Sequence, residues 1–324
     1  MLFLREAEVK ALLTMEGTIA ALEAALKEWA AGRASNQPRR RVAAGTVLAT
    51  MSAALPSKGL VGFKAYTANR EGARFWLALF SASDGRPKAV IEADWLGRMR
   101  TGAAAALATR HLARSDAAIL TILGSGTQAL TQVLAIAAVR SLREVRVFSR
   151  TPSNRAQFVE RLRAEIGGGM NIREAAEARD AVDGADIIST ITSASRPILF
   201  GSWLTAGQHL NVSGSNIPGH REVDGEAVER VELLVADDAD AARVEAGDLL
   251  LAEGEGRLQW SRVHSLREVV AGKLGRGQPS DITLFKSVGL ALEDVATGAA
   301  LLELAEARGV GKTLPDLEKD QDWH

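Results

Sequence analysis

Gly124, Gly126 and Ala129, set as G-x-G-x-x-A inside LTILGSGTQA, carry the spacing most directly tied to chemistry in this chain. An apolar run closes on the first glycine, and a helix-forming stretch follows at once. In such a turn the first glycine reverses the chain after a strand, the second lets backbone approach a pyrophosphate, and the small third residue lets helix pack on strand. A helix beginning near Thr127 and Gln128 then aims its amides and positive dipole end at the phosphates. The pattern predicts a dinucleotide site, although a tight strand-to-helix turn without a ligand uses the same residue types.

The next predicted strand, Glu144–Phe148, ends where an NAD enzyme places an acidic residue on the adenosine ribose. This chain has Ser149, Arg150 and Thr151 there, with Asn154 and Arg155 following as further donors. A guanidinium and two hydroxyls suit a 2′-phosphate. NADP(H) is therefore the expected cofactor, with NAD(H) the alternative; a merely solvated Arg150 is the plainer reading. Thr190 and Thr192 follow a later strand end, the place where parallel sheets put ligand contacts, though either hydroxyl could simply form a turn. Lys64 stands amid Val61, Phe63 and Ala65 of another predicted strand. An ammonium is costly to bury there unpaired, which favours a functional partner. The five histidines show no metal-ligand spacing. His220 is the one placed to supply a proton, with an exposed loop histidine as the alternative.

Two patterns of elements would position these residues. A helix is expected over 14–32, with Thr14 as cap and Gly32 as stop. Strands follow at 47–54, 60–68, 74–82 and 88–93, the last two joined around Asp84-Gly85, and their short connections imply antiparallel pairing. Phe75 and Trp76 in one of them read as core aromatics. An Ala-rich helix, 95–113, leads into the dinucleotide turn. Beyond it, strands at 118–123, 145–148, 171–174, 186–190, 209–212 and 233–236 alternate with helices, as in a parallel sheet covered on both faces. A long helix at 288–307 is expected to return to the first domain, and DLEKDQDWH closes the chain as a polar tail.

At 324 residues and 47% hydrophobic, the chain can bury two cores. A net charge of -1 gives no electrostatic footprint for nucleic acid, and Arg39-Arg40-Arg41 lacks the interleaved aromatics of a nucleic-acid groove. Zero cysteines exclude disulfides and thiolate metal sites and fit a reducing compartment. The opening MLFLREAEVK does not read as a signal peptide, and no apolar run reaches the length of a membrane span. A cytoplasmic protein with neither nucleic-acid nor membrane partner is expected.

In order along the chain, GFKAYT around Lys64, RMRTGAAAALATR around Arg100, GSGTQA, SRT, GSNIPGHREVD, GDLLL and LFKSVGLALED resemble the ornithine cyclodeaminase and mu-crystallin family. The resemblance implies an α/β fold: a Rossmann-type doubly wound parallel sheet domain, 116–285, plus an α+β substrate-binding and dimerisation domain, 1–115 with 286–324. It also implies a homodimer and hydride transfer at the nitrogen-bearing carbon of a small 2-imino or 2-amino acid.

Such a substrate presents a carboxylate beside its electrophilic carbon and needs cations to clamp it. Arg40, Lys64 and Arg100 match the family's basic pocket, with Arg39 and Arg41 adjoining the first. The resemblance brings Thr101 to the cofactor as well. It places Glu245 near the substrate, where a surface carboxylate is the equal alternative. Cyclodeaminases of the family carry a catalytic Asp where this chain has Asn216. An amide can orient an amine or imine but cannot exchange protons usefully near neutral pH. The expected activity is NAD(P)H-dependent reduction of a 2-imino acid, or the reverse dehydrogenation, with Lys64 and Asn216 catalytic. Ornithine cyclodeamination and non-catalytic binding of a small ligand are the alternatives. Asp224 and Asp248 read as local caps, and the role of Lys286 stays open.

Overall fold

The computed structural model describes residues 1–167 and 169–315, so the closing segment DLEKDQDWH, which ends in His324, lies outside the described residues. The chain divides into two units, Met1–Arg100 with Leu290–His324, and Thr101–Gly289. These limits differ from those expected at 115/116 and 285/286. The first falls inside the continuous helix Asp94–Leu112, and the second falls after the strand Thr283–Lys286, which belongs to the parallel sheet.

In the first unit, Thr46–Leu55, Leu60–Asn69, Gly72–Ser81 and Pro87–Glu92 pair antiparallel in sequence order. Leu2–Leu4 adds to Pro87–Glu92 in parallel, because no tight turn joins those two strands. Alternation along the strands separates two faces. Leu77 and Leu79 are buried on one, under the helix Ala291–Arg308. Gly298 of that helix leaves no room for a Cβ against Leu77, and a Cβ on Gly62 would lie 3.1 Å from Val295. Small residues in VATGAA therefore set how closely helix and sheet approach. The helix Met15–Ala30 packs on the same C-terminal helix, and Thr14 caps it by accepting from the Gly17 amide at 3.1 Å.

The other sheet face carries Val61, Phe63 and Trp76 at 38%, 40% and 43% exposure. This overturns the core expectation for Trp76: among the described residues the indole stays 43% exposed and stacks on Phe3 at 6.2 Å. Phe75 turns inward and packs against Tyr66.

The second unit is a parallel sheet in the order Asn171–Glu174, Glu144–Phe148, Ile119–Leu123, Ile187–Thr190, His209–Val212, Thr283–Lys286, Leu233–Ala236, Val263–Ser265. The order reverses between Ile119–Leu123 and Ile187–Thr190, the position where open parallel sheets receive ligands at their carboxyl ends. Leu120, Ile122, Val145, Val147 and Ile187 fill the core between this sheet and its helices. Gly102 lies so close to the helix Ala129–Ala137 that an added Cβ would sit 2.5 Å from the Thr131 carbonyl, which accounts for a glycine in the Ala-rich helix.

Candidate active site

At the switch in strand order, the turn after Ile119–Leu123 floors a groove of about 560 Å³. Gly124 adopts φ +124°, and a Cβ there would strike the Ile191 carbonyl; one on Gly126 would meet only open space. Ala129 is fully buried. Gly124 and Ala129 thus have steric reasons within the fold, a sharp turn and tight packing, while Gly126 leaves the floor of the groove open. Thr127 and Gln128 line the groove at the start of the helix Ala129–Ala137. Phe148, Ser149, Arg150, Thr151 and Asn154 form one wall. The Ser149 hydroxyl accepts from Ser125 at 2.9 Å, so it orders the turn as well as the wall. Arg155 is drawn away, bonding Glu174 at 2.9 Å.

The residues fit a dinucleotide: a glycine floor, a helix start, and a guanidinium with hydroxyls on one wall. When bound, a nicotinamide cofactor supplies or accepts the hydride.

Ile191, Thr192, Ser193, Ala194 and Gly214 line the opposite wall. Thr190 does not reach it. Its hydroxyl is buried and donates to Glu222 Oε2 at 2.8 Å, so the expected direct contact with cofactor is replaced by an internal bond. Thr192 is on the wall, but its hydroxyl also donates to Glu222, at 2.7 Å. Thr101 is absent from the lining; its carbonyl accepts from Gln132 at 3.4 Å, inside the unit. Asn216 is half-buried in the loop beyond His209–Val212. The carbonyls of Ile217, Pro218 and His220 close over the Cα of Gly247, seating this loop against the start of the helix Gly247–Gly254; Glu245, at the end of the preceding helix Ala239–Glu245, is buried.

Asp224 caps its helix as expected, accepting from Ala227 at 2.9 Å. Asp248 does more than cap. It accepts from the Glu222 and Val223 amides and pairs with fully buried Lys286 at 2.7 Å. His209 is buried against Thr283, and burial pushes its pKa down to about 3, so it stays neutral.

In the first unit, the Lys64 ammonium is 3% exposed and meets Asp294 Oδ1 at 2.7 Å. Arg100 reaches the same oxygen at 3.2 Å and Glu293 at 2.9 Å. The Phe75 ring lies 5.3 Å from the ammonium. Burial pushes the Lys64 pKa down to about 8; Asp294 opposes that fall, and the Arg100 and Arg39 charges deepen it. Arg40, expected in the basic pocket, is not the arginine buried beside Lys64. Arg40 opens the edge strand Arg40–Ala44, every residue of which is exposed, whereas Arg39 is 8% exposed and acts on Lys64. Asp294 and Glu293 escaped the sequence reading. Their signal was a pair of acids in the otherwise apolar start of LALEDVATGAA, the counter-charge that a buried Lys64 demands.

The family model described as ornithine cyclodeaminase/mu-crystallin matches residues 1–308. A Delta(1)-pyrroline-2-carboxylate reductase of Bacillus cereus is 37% identical over 232 residues, covering 71% of this chain and 70% of that one. An alanine dehydrogenase of Archaeoglobus fulgidus is 30% identical, covering 97% and 98%. The solved structure of Thermococcus litoralis Delta(1)-pyrroline-2-carboxylate reductase, in complex with NADH and L-proline, superposes with a TM-score of 0.93 at 32% identity, covering 97% of this chain and all (100%) of that one. With the glycine turn, the basic cluster and the parallel sheet in place, the chain belongs to the ornithine cyclodeaminase/mu-crystallin family.

Proposed function

We propose that the chain reduces a small 2-imino acid to the 2-amino acid with a nicotinamide cofactor, and runs the reverse dehydrogenation. The observation that carries this reading is Lys64, a buried ammonium with a pKa near 8 beside the Arg100 guanidinium. Cations in that setting hold a carboxylate strongly. A group that titrates near the working pH can also give and take a proton. Reduction adds a hydride to the imine carbon and a proton to its nitrogen. In this reading Lys64 supplies or relays that proton, Arg100 and Arg39 hold the carboxylate, Asn216 orients the nitrogen, and Glu245 is a further polar contact for an amine or polar tail of the substrate. Asn216 cannot cycle protons as an Asp does, which disfavours cyclodeamination.

The test follows NADH and NADPH absorbance with cyclic ketimines, and with glyoxylate, pyruvate or oxaloacetate plus ammonia or methylamine. Amine-dependent oxidation, or oxidation by a preformed ketimine, is expected. Silence across the panel together with proline and ammonia formed from ornithine would replace reduction by cyclodeamination. Ligand binding without any turnover would make the chain a binding protein.

NADP(H) is the preferred cofactor in this reading, because Arg150 stands exposed on the groove wall among Ser149, Thr151 and Asn154. Arg150→Ala is expected to weaken NADPH by roughly 10-fold or more, the worth of a charge-assisted bond, and NADH by less than about twofold. Equal losses, read by titration of cofactor fluorescence, remove the assignment.

A second copy of the chain covers the outward sheet face of the first unit. Phe63 stacks on Phe80 at 6.0 Å and Phe3 on Trp76 at 6.2 Å, leaving an apolar face of the kind that marks an interface. Light scattering is expected to give twice the 34.4 kDa chain mass; a monomer at micromolar concentration refutes the homodimer.

A further inference from the structure

We propose that Glu222 is a positioning residue for the nicotinamide end of the cofactor groove, fixing the wall at Thr192 and the chain that enters Asn216 in one geometry. This rests on reading the groove as a nicotinamide dinucleotide site.

Both oxygens of the Glu222 carboxylate are in use. Oε1 accepts from the Thr192 amide at 2.6 Å and the Thr192 hydroxyl at 2.7 Å. Oε2 accepts from the Thr190 hydroxyl at 2.8 Å and the Gly214 amide at 2.7 Å. Thr192 and Gly214 line the groove, while Glu222 itself is fully buried behind them. One carboxylate therefore joins the ends of two adjacent parallel strands, Ile187–Thr190 and His209–Val212. Gly214 is required by the same contact, since a Cβ there would strike Glu222 Oε1 and the Thr192 carbonyl.

A second tier holds the carboxylate. Asp248 Oδ1 accepts from the Glu222 amide at 2.6 Å, and its other oxygen pairs with Lys286. Lys286 donates to the Ser215 carbonyl at 2.8 Å, and the Ser215 hydroxyl accepts from the Ile217 amide at 3.2 Å. The backbone on both sides of Asn216 is thus pinned, directly or through Lys286, to the group that shapes the groove wall.

No bond of this chain of contacts reaches the wall at Ser149 to Asn154. In a doubly wound sheet the adenosine half lies over the second strand and the other half lies across the switch point. Glu222 therefore acts on one half of the ligand only, a separation that a general loss of packing cannot imitate.

The experiment compares Glu222→Gln and Thr190→Val with the unaltered chain, measuring affinity for NADH and NADPH against AMP and 2′,5′-ADP, which carry the adenosine half without the bridging pyrophosphate. Glu222→Gln turns a carboxamide NH₂ toward two donors. It is expected to weaken the whole cofactors by roughly 10-fold or more and to slow hydride transfer by about 100-fold through misplacement. Affinity for AMP and 2′,5′-ADP stays within about twofold. Thr190→Val, which removes one buried donor and touches no wall, gives the same pattern at about fivefold. If Glu222→Gln does not fold, Thr190→Val decides alone. Parallel loss of both ligand classes, no loss of either, or an unaltered chain that binds neither NADH nor NADPH overturns the proposal. Absence of imino-acid turnover with the binding pattern intact would count against the reductase reading alone.

Discussion

Replacing Lys64 with Met is expected to lower kcat/KM for imino-acid reduction by about 10²–10⁴-fold, the range of a lost general acid, while NADH affinity changes by less than about twofold. The substitution keeps the length and apolar stem and removes the ammonium that lies 2.7 Å from Asp294. The pH profile gives the sign. Lys64 titrates at about 8, and reduction consumes a proton, so its rate should hold below that pH and fall roughly tenfold per unit above it. Dehydrogenation, which needs a proton acceptor, should rise through the same pH. Folding stability must follow the same group. The folded-state pKa lies below the ordinary 10.5, so between the two values the unfolded chain binds more protons, and stability rises with pH across that window. Lys64→Met should flatten both the pH–rate limb near 8 and this rise, read by initial rates and urea midpoints. A variant with unchanged kcat/KM removes Lys64 from the chemistry.

What the sequence disclosed about the site follows the range over which each interaction acts. The dinucleotide turn was legible because its steric reasons are local: Gly124 turns, Gly126 opens the floor and Ala129 packs, all within one turn and the helix start. Lys64 could be singled out because an ammonium inside an apolar strand is anomalous by itself. Its partner could not, because Asp294 lies 230 residues away on a helix whose packing against the sheet had to be known first. That Arg39, and not Arg40, is the buried arginine beside Lys64 was hidden for a related reason. Whether Arg39 or Arg40 turns inward depends on the register of the edge hairpin with Thr46–Leu55, which the run of three arginines does not encode. The two threonines after the strand end were expected to contact the cofactor; Thr192 lines the groove, but Thr190 is bound to a carboxylate brought back by the Arg221–Val223 segment, a tertiary return invisible in local pattern. The strands Thr283–Lys286 and Val263–Ser265 were not recognised; their pairing depends on the sheet already built around them.

Asp294→Ala is expected to be the most destabilising change in the basic cluster, by about 3–5 kcal/mol, because it leaves buried cations without their counter-charge. Asp294 Oδ1 is shared by Lys64 and Arg100, and the carboxylate is fully buried, so neither cation can turn to solvent in its place. Glu293 remains near Arg100 at 2.9 Å, which leaves Lys64 as the group that bears most of the loss. Two consequences separate this account from simple cavity formation. The Asp294 charge opposes the depression of the Lys64 pKa, so its removal should move the break in the reductive pH profile below about 8. The Lys64→Met change should then recover part of the stability in the double variant, since the unpaired ammonium is gone; contacting charges typically couple by about 0.5–3 kcal/mol. Urea unfolding of the two single variants and the double variant measures the coupling directly. Strict additivity, or an unmoved pH break in Asp294→Ala, would mean that Asp294 fills space beside Lys64 without setting its charge state.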